Sequence, residues 1–151
     1  MPVIVVANTK GGAGKGTLST DLAGRTAAQG KAVMLGDADR QQSSRIWLRL
    51  RPAAVPQIQT WTVTHDDIFR PHKSTSHVAL DTPADQHGKR LDGVMKLAEK
   101  IDVSLQPVIF DIHALHEFVK QIKAQKTYRS THTSPHTSPH TRCKSASSAC
   151  A

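Results

Sequence analysis

Residues 3–17 have the sequence Val-Ile-Val-Val-Ala-Asn-Thr-Lys-Gly-Gly-Ala-Gly-Lys-Gly-Thr, and this stretch decides the fold. Its first five residues are apolar and mostly β-branched, which is typical of a strand buried on both faces of a parallel sheet. Residues 17–29 contain fair helix formers and precede Gly30, a common residue at helix C-termini. A second apolar run follows at 32–35. A strand, a glycine-rich loop, a helix and a strand predict a βαβ unit.

The same alternation continues along the chain. Apolar spacing predicts, in order, a helix over 43–50 capped by Ser43 or Ser44, strands over 58–63 and 77–81, a helix over 91–98, a strand over 101–105 and a helix over 108–122. Strands that alternate with helices predict an α/β protein with a doubly wound, mostly parallel sheet.

The net charge is distributed unevenly over the 151 residues. The whole chain carries +8, which alone would suggest a nucleic-acid or anionic partner. Fourteen bases and twelve acids lie at or before position 119, so this part carries only +2. The other six bases lie between Lys120 and Lys144, with no acid among them. The high pI therefore describes mainly the C-terminal end of the chain.

Composition changes after about residue 125. We call residues 126–151 the C-terminal segment; it is rich in Ser, Thr, His and Pro and repeats Thr-Ser-Pro-His at 133–136 and 137–140. Such a segment buries too little apolar surface to offset the entropy of ordering, so we predict that it is disordered. The domain boundary is therefore predicted near residue 125.

The short apolar runs and the positions of the cysteines argue against a membrane-spanning, secreted or disulfide-stabilised protein. The early apolar run, 3–7, is far shorter than the roughly 20 residues of a membrane-spanning helix. It also lacks a basic leader and the roughly 7–15 apolar residues of a signal-peptide h-region, so we expect no signal peptide. Cys143 and Cys150 lie in the C-terminal segment and lack metal-ligand spacing. We expect a protein without a membrane span, in the cytoplasm.

The glycine-rich stretch 10–17 has the composition of a phosphate-binding loop. Glycines let the backbone wrap an anion and point successive N–H groups inward, and the N-terminus of the following helix adds positive potential. Lys15 is placed to reach the terminal phosphates. A purely structural glycine turn is the alternative, but the strand before the loop and the helix after it favour phosphate binding.

Carboxylates end two of the predicted strands. Asp37 and Asp39 follow the second strand, and Asp81 ends the strand over 77–81. At the carboxyl edge of a parallel sheet such groups can face a phosphate-bound metal ion. The alternative for Asp37 and Asp39 is a helix cap or a solvated turn, and the alternative for Asp81 is a helix cap.

These motifs, in this order, resemble those of the ParA/MinD family of deviant Walker A P-loop ATPases. The family loop is K-G-G-x-G-K-(S/T)-T; Lys10 matches the lysine that reaches the partner's nucleotide in an ATP-sandwiched dimer, and Lys15 matches the P-loop lysine. Gly16 departs from the pattern, because family members have a hydroxyl there as a Mg²⁺ ligand. A water would have to replace that hydroxyl. The resemblance implies nucleotide binding by Gly11, Gly12, Ala13, Gly14, Lys15, Gly16 and Thr17.

The carboxylates fit the same resemblance. Residues 37–42 are similar to the family's D-x-D-P-Q stretch with Arg40 in place of proline, which implies that Asp37 lies near the metal through water and that Asp39 orients the attacking water. Residues 78–84 look like the family's Walker B strand and D-T-P-A, with Asp81 near the metal through water. Asp85 stands where a glycine is usual.

The resemblance implies ATP and Mg²⁺ as ligands, ATP-dependent homodimerisation, DNA binding without sequence preference, and hydrolysis triggered by a ParB-like activator, as in plasmid or chromosome partitioning. It covers roughly residues 1–120, and the family fold continues with further strands and helices, so we expect the P-loop fold to be incomplete at its C-terminus. Two alternatives remain: a nucleotide-binding protein that does not hydrolyse ATP, which Gly16 favours, and a nucleic-acid binder that acts through the basic C-terminal segment.

Overall fold

The chain forms one parallel sheet with helices on both faces. The structure is a computed structural model that describes residues 1–61, 71–84, 89–106, 108–124 and 131–135, with only the backbone for 89–91 and 131–135. In chain order the elements are β1 (Val3–Ala7), α1 (Lys15–Ala28), β2 (Val33–Asp37), α2 (Ser43–Arg49), β3 (Gln59–Trp61), β4 (His77–Asp81), α3 (Lys89–Leu97), β5 (Lys100–Leu105), α4 (Ile109–Ala124) and β6 (Thr131–Pro135).

The strand order puts the loop after β1 at the middle of the sheet edge. The six strands lie in the order β3-β2-β4-β1-β5-β6, and each neighbouring pair is parallel. The chain leaves β1 towards β2 on one side, while β5 flanks β1 on the other. A crevice at such a reversal point is the usual ligand position in an open parallel sheet.

Two apolar clusters, one on each face of the sheet, form the core. Val78 and Leu80 of β4 contact the cluster that includes α3 and α4, with Val94 and Phe118 among its members. The residue between them, Ala79, belongs to the opposite cluster with residues of α1. Successive strand residues therefore bury themselves on opposite faces, as a doubly wound sheet requires. The predicted fold class is confirmed.

Most predicted elements match the observed ones, with one informative difference at α2. This helix begins at Ser43, but its N-cap residue is Gln42, in the left-handed conformation with φ 50°, and no side chain caps the helix. Neither Ser43 nor Ser44 is the cap. Ser44 is instead buried inside the first turn, where its hydroxyl bonds a strand carboxylate.

Part of the C-terminal segment is ordered, contrary to our prediction. Thr131–Pro135 pairs with β5 over Ile101–Leu105 as the sheet's last strand, β6. The edge of β5 offers unpaired backbone groups, and pairing with them requires only backbone and a tolerant composition, which threonine supplies. Residues 125–130 and 136–151, and the predicted strand's end at 62–63, lie outside the described residues.

Among the described residues, no helix has both the length and the apolar character needed to cross a membrane.

Candidate functional site

The loop between β1 and α1 bends back on itself at two glycines. Gly12 has φ 72° and Gly14, the residue that precedes α1, has φ 80°, a left-handed region that glycine adopts without strain. A Cβ at Gly11 or Gly12 would meet nothing within 4 Å, so this part of the loop borders open space. The first turn of α1 presents its N–H groups towards the same region. The loop is thus shaped to hold an anion.

Side-chain amides attach this loop to the end of β5. Asn8 is buried; its Nδ2 donates to Ser104 O at 2.5 Å and its Oδ1 accepts from Lys10 N at 2.8 Å. Gln106 Nε2 donates to Gly12 O at 3.3 Å. Neither Asn8 nor Gln106 belongs to a motif that the sequence displays, and both hold the loop conformation through their side-chain amides.

Lys15 is the cation of the site. Its side chain is buried, although lysine rarely is, and Nζ donates to Lys10 O at 2.9 Å. The ammonium therefore lies over the loop, and its charge lowers the pKa of Asp81 somewhat against the larger opposite effect of burial. An ammonium between a glycine loop and a carboxylate is well placed to contact a phosphate.

Asp37 and Asp81 end neighbouring strands side by side. They are register partners in the β2–β4 pair, and Ala38 N donates to Asp81 O at 2.9 Å. Asp37 accepts from Asp39 N at 2.9 Å and from Arg45 N at 3.2 Å, so it shapes the turn into α2. Burial raises the pKa of Asp37, and these backbone hydrogen bonds oppose the rise.

Asp81 is bonded to a neutral hydroxyl. Ser44 Oγ donates to Asp81 Oδ2 at 2.6 Å, and the serine side chain is buried beside it. Burial raises the pKa of Asp81 to about 6, because a charged carboxylate loses hydration there. A Cβ built on Gly16 would lie 3.1 Å from Asp81 Oδ2 and 3.4 Å from Ser44 Oγ. Gly16, Ser44 and Asp81 therefore converge on one small volume.

A cleft of about 520 Å³ connects the loop with Asp81 and with the turn and helix that follow β2. It brings together predicted residues 12–17, Asp39 and Asp81, but not Gly11, Lys10 or Asp37. The lining also includes five residues that the sequence analysis did not place in the site: Thr20, Gln41, Ser43, Ser44 and Trp47. Four of these five follow Asp39 closely in sequence, so the turn and helix after the second motif were the available signal.

Lys10 lies on the β5 side of the loop. Its Nζ forms an ion pair with Asp111 of α4, whose side chain is only 2% exposed against 49% for Lys10. Asp111 Oδ2 is buried with no hydrogen-bond partner among the described residues. The predicted role of Lys10 in a partner's nucleotide site stays a prediction.

The donor set fits Mg²⁺ bound together with phosphate. Among the described residues no group of three or more His, Cys, Asp or Glu side chains could hold a metal ion by itself. Mg²⁺ commonly takes one or two carboxylates and completes its shell with phosphate oxygens and waters. Asp81 in the cleft lining, with Asp37 beside it in the sheet, would supply oxygens of this kind.

A glycine loop at a helix N-terminus, a buried loop lysine and strand-end carboxylates define a P-loop nucleotide-binding domain. Residues 4–131 match the family described as the CobQ/CobB/MinD/ParA nucleotide binding domain, and the chain belongs to this family. The predicted resemblance is confirmed. The loop residue Asp85 lies outside the described residues.

One curated relative is the "Maintenance of carboxysome distribution protein A" of Gloeobacter kilaueensis, 32% identical over 119 residues, 78% of this chain. The chain spans 55% of that relative, about half its length. In fold, the chain resembles the MinD cell division protein of Aquifex aeolicus, with a TM-score of 0.70 and 17% identity over 89% of this chain and 69% of that one.

Two further structures share the fold. The cobyrinic acid a,c-diamide synthase of Mycobacterium smegmatis, solved with ADP and magnesium, has a TM-score of 0.71 and 18% identity over 89% of this chain and 74% of that one. The pNOB8 ParA protein, solved bound to nonspecific DNA, has a TM-score of 0.63 and 17% identity over 78% and 58%. At these identities the likeness concerns the fold alone.

Proposed function

We propose that this chain binds ATP with Mg²⁺ in the cleft and acts as a ParA-like ATPase that positions DNA or another large cargo. The observation that carries the proposal is the buried Lys15 ammonium, held over a glycine loop at the N-terminus of α1 and facing Asp81 across the cleft. An ammonium held beside a glycine loop at a helix N-terminus can add a charge-assisted hydrogen bond to a phosphate that the loop binds. Family membership supports the same ligand class.

The proposed roles of the residues are those that the family resemblance implies. The backbone of residues 11–14 and Lys15 hold the phosphates, and Thr17 lies in the lining of the same cleft. Asp37 and Asp81 hold the metal through water, while Asp39, in the lining of the cleft, orients the attacking water. Mg²⁺, when bound, neutralises charge that develops on the phosphates.

Lys10 links the site to dimerisation in this proposal. Within one chain Lys10 is paired with Asp111, so reaching a partner's nucleotide requires that ion pair to break. ATP-dependent association, DNA binding without sequence preference and a ParB-like activator complete the proposed cycle. Two comparisons support DNA or another large cargo as the object that is positioned. The pNOB8 ParA protein was solved bound to nonspecific DNA, and the curated relative is described as maintaining carboxysome distribution.

A nucleotide-binding protein without turnover is the second candidate. It is favoured by Gly16, which offers no hydroxyl, and by the crowding of Asp81 Oδ2 and Ser44 Oγ around the position of its missing side chain. Turnover separates the two candidates, because both require the same phosphate-binding loop.

The test is binding of ADP and ATP by calorimetry together with phosphate release, using the full chain. Lys15→Ala is the site variant, and Lys31→Ala, at an exposed position after α1, is the matched loss of one lysine. Binding with Mg²⁺-dependent release, lost in Lys15→Ala only, supports the ATPase. Binding without release supports the second candidate, and no binding by the wild-type chain refutes both.

DNA binding is tested separately by fluorescence anisotropy of a labelled duplex across a salt series, with and without ATP. The ParA-like cycle predicts binding that requires ATP. Binding of equal strength without nucleotide, steeply weakened by salt, would instead support the alternative in which the basic C-terminal segment contacts phosphates.

A further inference from the structure

Gly16 has no hydroxyl that could bind a metal ion. A nucleotide-bound Mg²⁺ needs oxygen ligands, and the position that supplies a hydroxyl in the family pattern has no side chain here. Solvent is one source of the missing oxygen. The structure contains another oxygen, from a different element, in the same small volume.

We propose that Ser44 supplies the hydroxyl ligand of Mg²⁺ that Gly16 lacks. Ser44 Oγ lies 3.4 Å from the position a Cβ would take at Gly16 and 2.6 Å from Asp81 Oδ2. It is thus within reach of the volume that a serine side chain at position 16 would fill. The inference rests on the proposed binding of Mg²⁺ and nucleotide.

The hydrogen bond of Ser44 leaves the hydroxyl suited to a metal. Ser44 Oγ donates its proton to Asp81 Oδ2. A hydroxyl has one donor and two lone pairs, so donation to the carboxylate leaves the lone pairs for a cation. Ser44 is 1% exposed yet contributes to the cleft lining, which is the position of a ligand at the floor of a site.

Backbone contacts hold Ser44 in place. It lies in the first turn of α2, where Arg45 N donates to Asp37 Oδ2 at 3.2 Å and the preceding Gln42 has φ 50°. The turn from β2 thereby aims the first turn of α2 at the end of β4. Oxygen ligands that are fixed before binding lose less entropy when the metal arrives.

Gly16 and Ser44 form a matched pair. A Cβ at position 16 would lie 3.1 Å from Asp81 Oδ2, which is closer than an ordinary van der Waals contact. It would lie 3.4 Å from Ser44 Oγ, at the lower limit of ordinary contact. A serine at 16 and a serine at 44 therefore compete for one volume. This predicts that the hydroxyl can be moved from one position to the other but is not accommodated well at both.

The experiment measures Mn²⁺ affinity by electron paramagnetic resonance in the presence of ADP, and ADP affinity by calorimetry in EDTA and in Mg²⁺. For Ser44→Ala we expect Mn²⁺ affinity to fall by about tenfold or more, while ADP affinity in EDTA stays at the wild-type value. Ser19→Ala is the control, because this serine is equally buried but donates to Lys15 O within α1. It should keep wild-type Mn²⁺ affinity.

Two more variants separate ligation from a structural role. Gly16→Ser combined with Ser44→Ala should recover most of the lost Mn²⁺ affinity. Ser44→Cys should lose the Mg²⁺ enhancement of ADP binding and regain it with Cd²⁺, since a thiolate favours soft cations. A merely structural hydroxyl would not change the preferred metal.

The outcomes are distinguishable from those of the proposed function. If the wild-type chain binds no ADP, the proposed function and this inference both fail. If it binds ADP and Ser44→Ala keeps wild-type Mn²⁺ affinity, this inference alone is overturned. It is also overturned if Ser44→Ala weakens ADP binding in EDTA as much as in Mg²⁺, because the hydroxyl would then support the loop rather than the metal.

Discussion

The buried carboxylates on the two sides of β1 have different partners. On the β4 side, Asp81 is bonded to a neutral serine and Asp37 to backbone N–H groups, and burial raises the pKa of both. On the β5 side, the equally buried Asp111 is paired with the Lys10 ammonium. The first arrangement leaves negative charge available to an added cation, whereas in the second an ammonium of the same chain neutralises the charge. The proposed metal and nucleotide site therefore lies on the β4 side.

The largest expected effect comes from removing the cation of the β4 side. We expect Lys15→Ala to raise the dissociation constant for ADP about a hundredfold, since a charge-assisted hydrogen bond to phosphate contributes up to about 3 kcal/mol. Calorimetry at one salt concentration measures this, with Lys31→Ala as control. A Lys15→Ala variant that binds ADP as the wild type does would remove the β4 side from consideration as the nucleotide site.

The raised pKa of Asp81 predicts how stability depends on pH in the metal-free protein. The folded state holds this proton more strongly than the unfolded chain, so the free energy of unfolding falls as pH rises from about 4 to about 6 and then levels off. The loss amounts to about 3 kcal/mol, from a pKa that burial raises to about 6.

Asp81→Asn removes that charge while keeping an oxygen acceptor for Ser44 Oγ. We expect urea unfolding in EDTA to show the variant more stable than the wild type above pH 6 and equal to it near pH 4. Its Mn²⁺ affinity should be lost at the same time. A stability difference that does not change with pH would contradict the assignment of the raised pKa to Asp81.

On the β5 side the two partners of the ion pair should differ in their effect on stability. Lys10→Ala leaves the buried Asp111 without its cation, and we expect a loss of about 2 kcal/mol in the free energy of unfolding. Asp111→Asn leaves a half-exposed lysine that water can solvate, so its loss should be smaller, about 1 kcal/mol. Chemical denaturation measures both, and a larger loss in Asp111→Asn would contradict the argument.

The smallest effect on stability is expected at an exposed ion pair on α4, the helix that also carries Asp111. Lys120 donates a hydrogen bond to Glu117 and thereby lowers the pKa of that carboxyl, but both side chains are exposed. Water screens such a pair, so Glu117→Gln should leave thermal unfolding unchanged within error. A clear destabilisation would show that ion pairing, rather than burial, determines how much the carboxylates of α4 contribute to stability.

Local patterns were sufficient for most of the fold. The apolar run 3–7, the glycine loop and the strand over 77–81 predicted a βαβ core and a parallel sheet, because burial on both faces leaves a continuous apolar run in each strand. The prediction of disorder was wrong for 131–135. Backbone pairing with β5 does not depend on side-chain hydrophobicity, so composition did not reveal it.

The residues of the candidate site also fall into two groups, those that local motifs identified and those that they did not. Lys15, Asp39 and Asp81 were identified from motifs, and all three line the cleft. Ser44, Asn8 and Asp111 were not identified, because each acts through a residue 37 to 101 positions away in the sequence. Such contacts have no spacing that a single sequence displays.

The sequence by itself thus determined the class of fold, the phosphate-binding loop and the absence of a hydroxyl at Gly16, since each depends on neighbouring residues and their local conformations. Only the tertiary structure decided which carboxylate bonds a serine and which bonds a lysine. It did so by bringing the ends of β2 and β4 together under α2, and by packing α4 beside the loop on the other side of β1. Those distances fix the electrostatics of each carboxyl, and the electrostatics distinguish the side of the sheet edge proposed to bind ligand from the side where a lysine of the same chain neutralises the carboxylate.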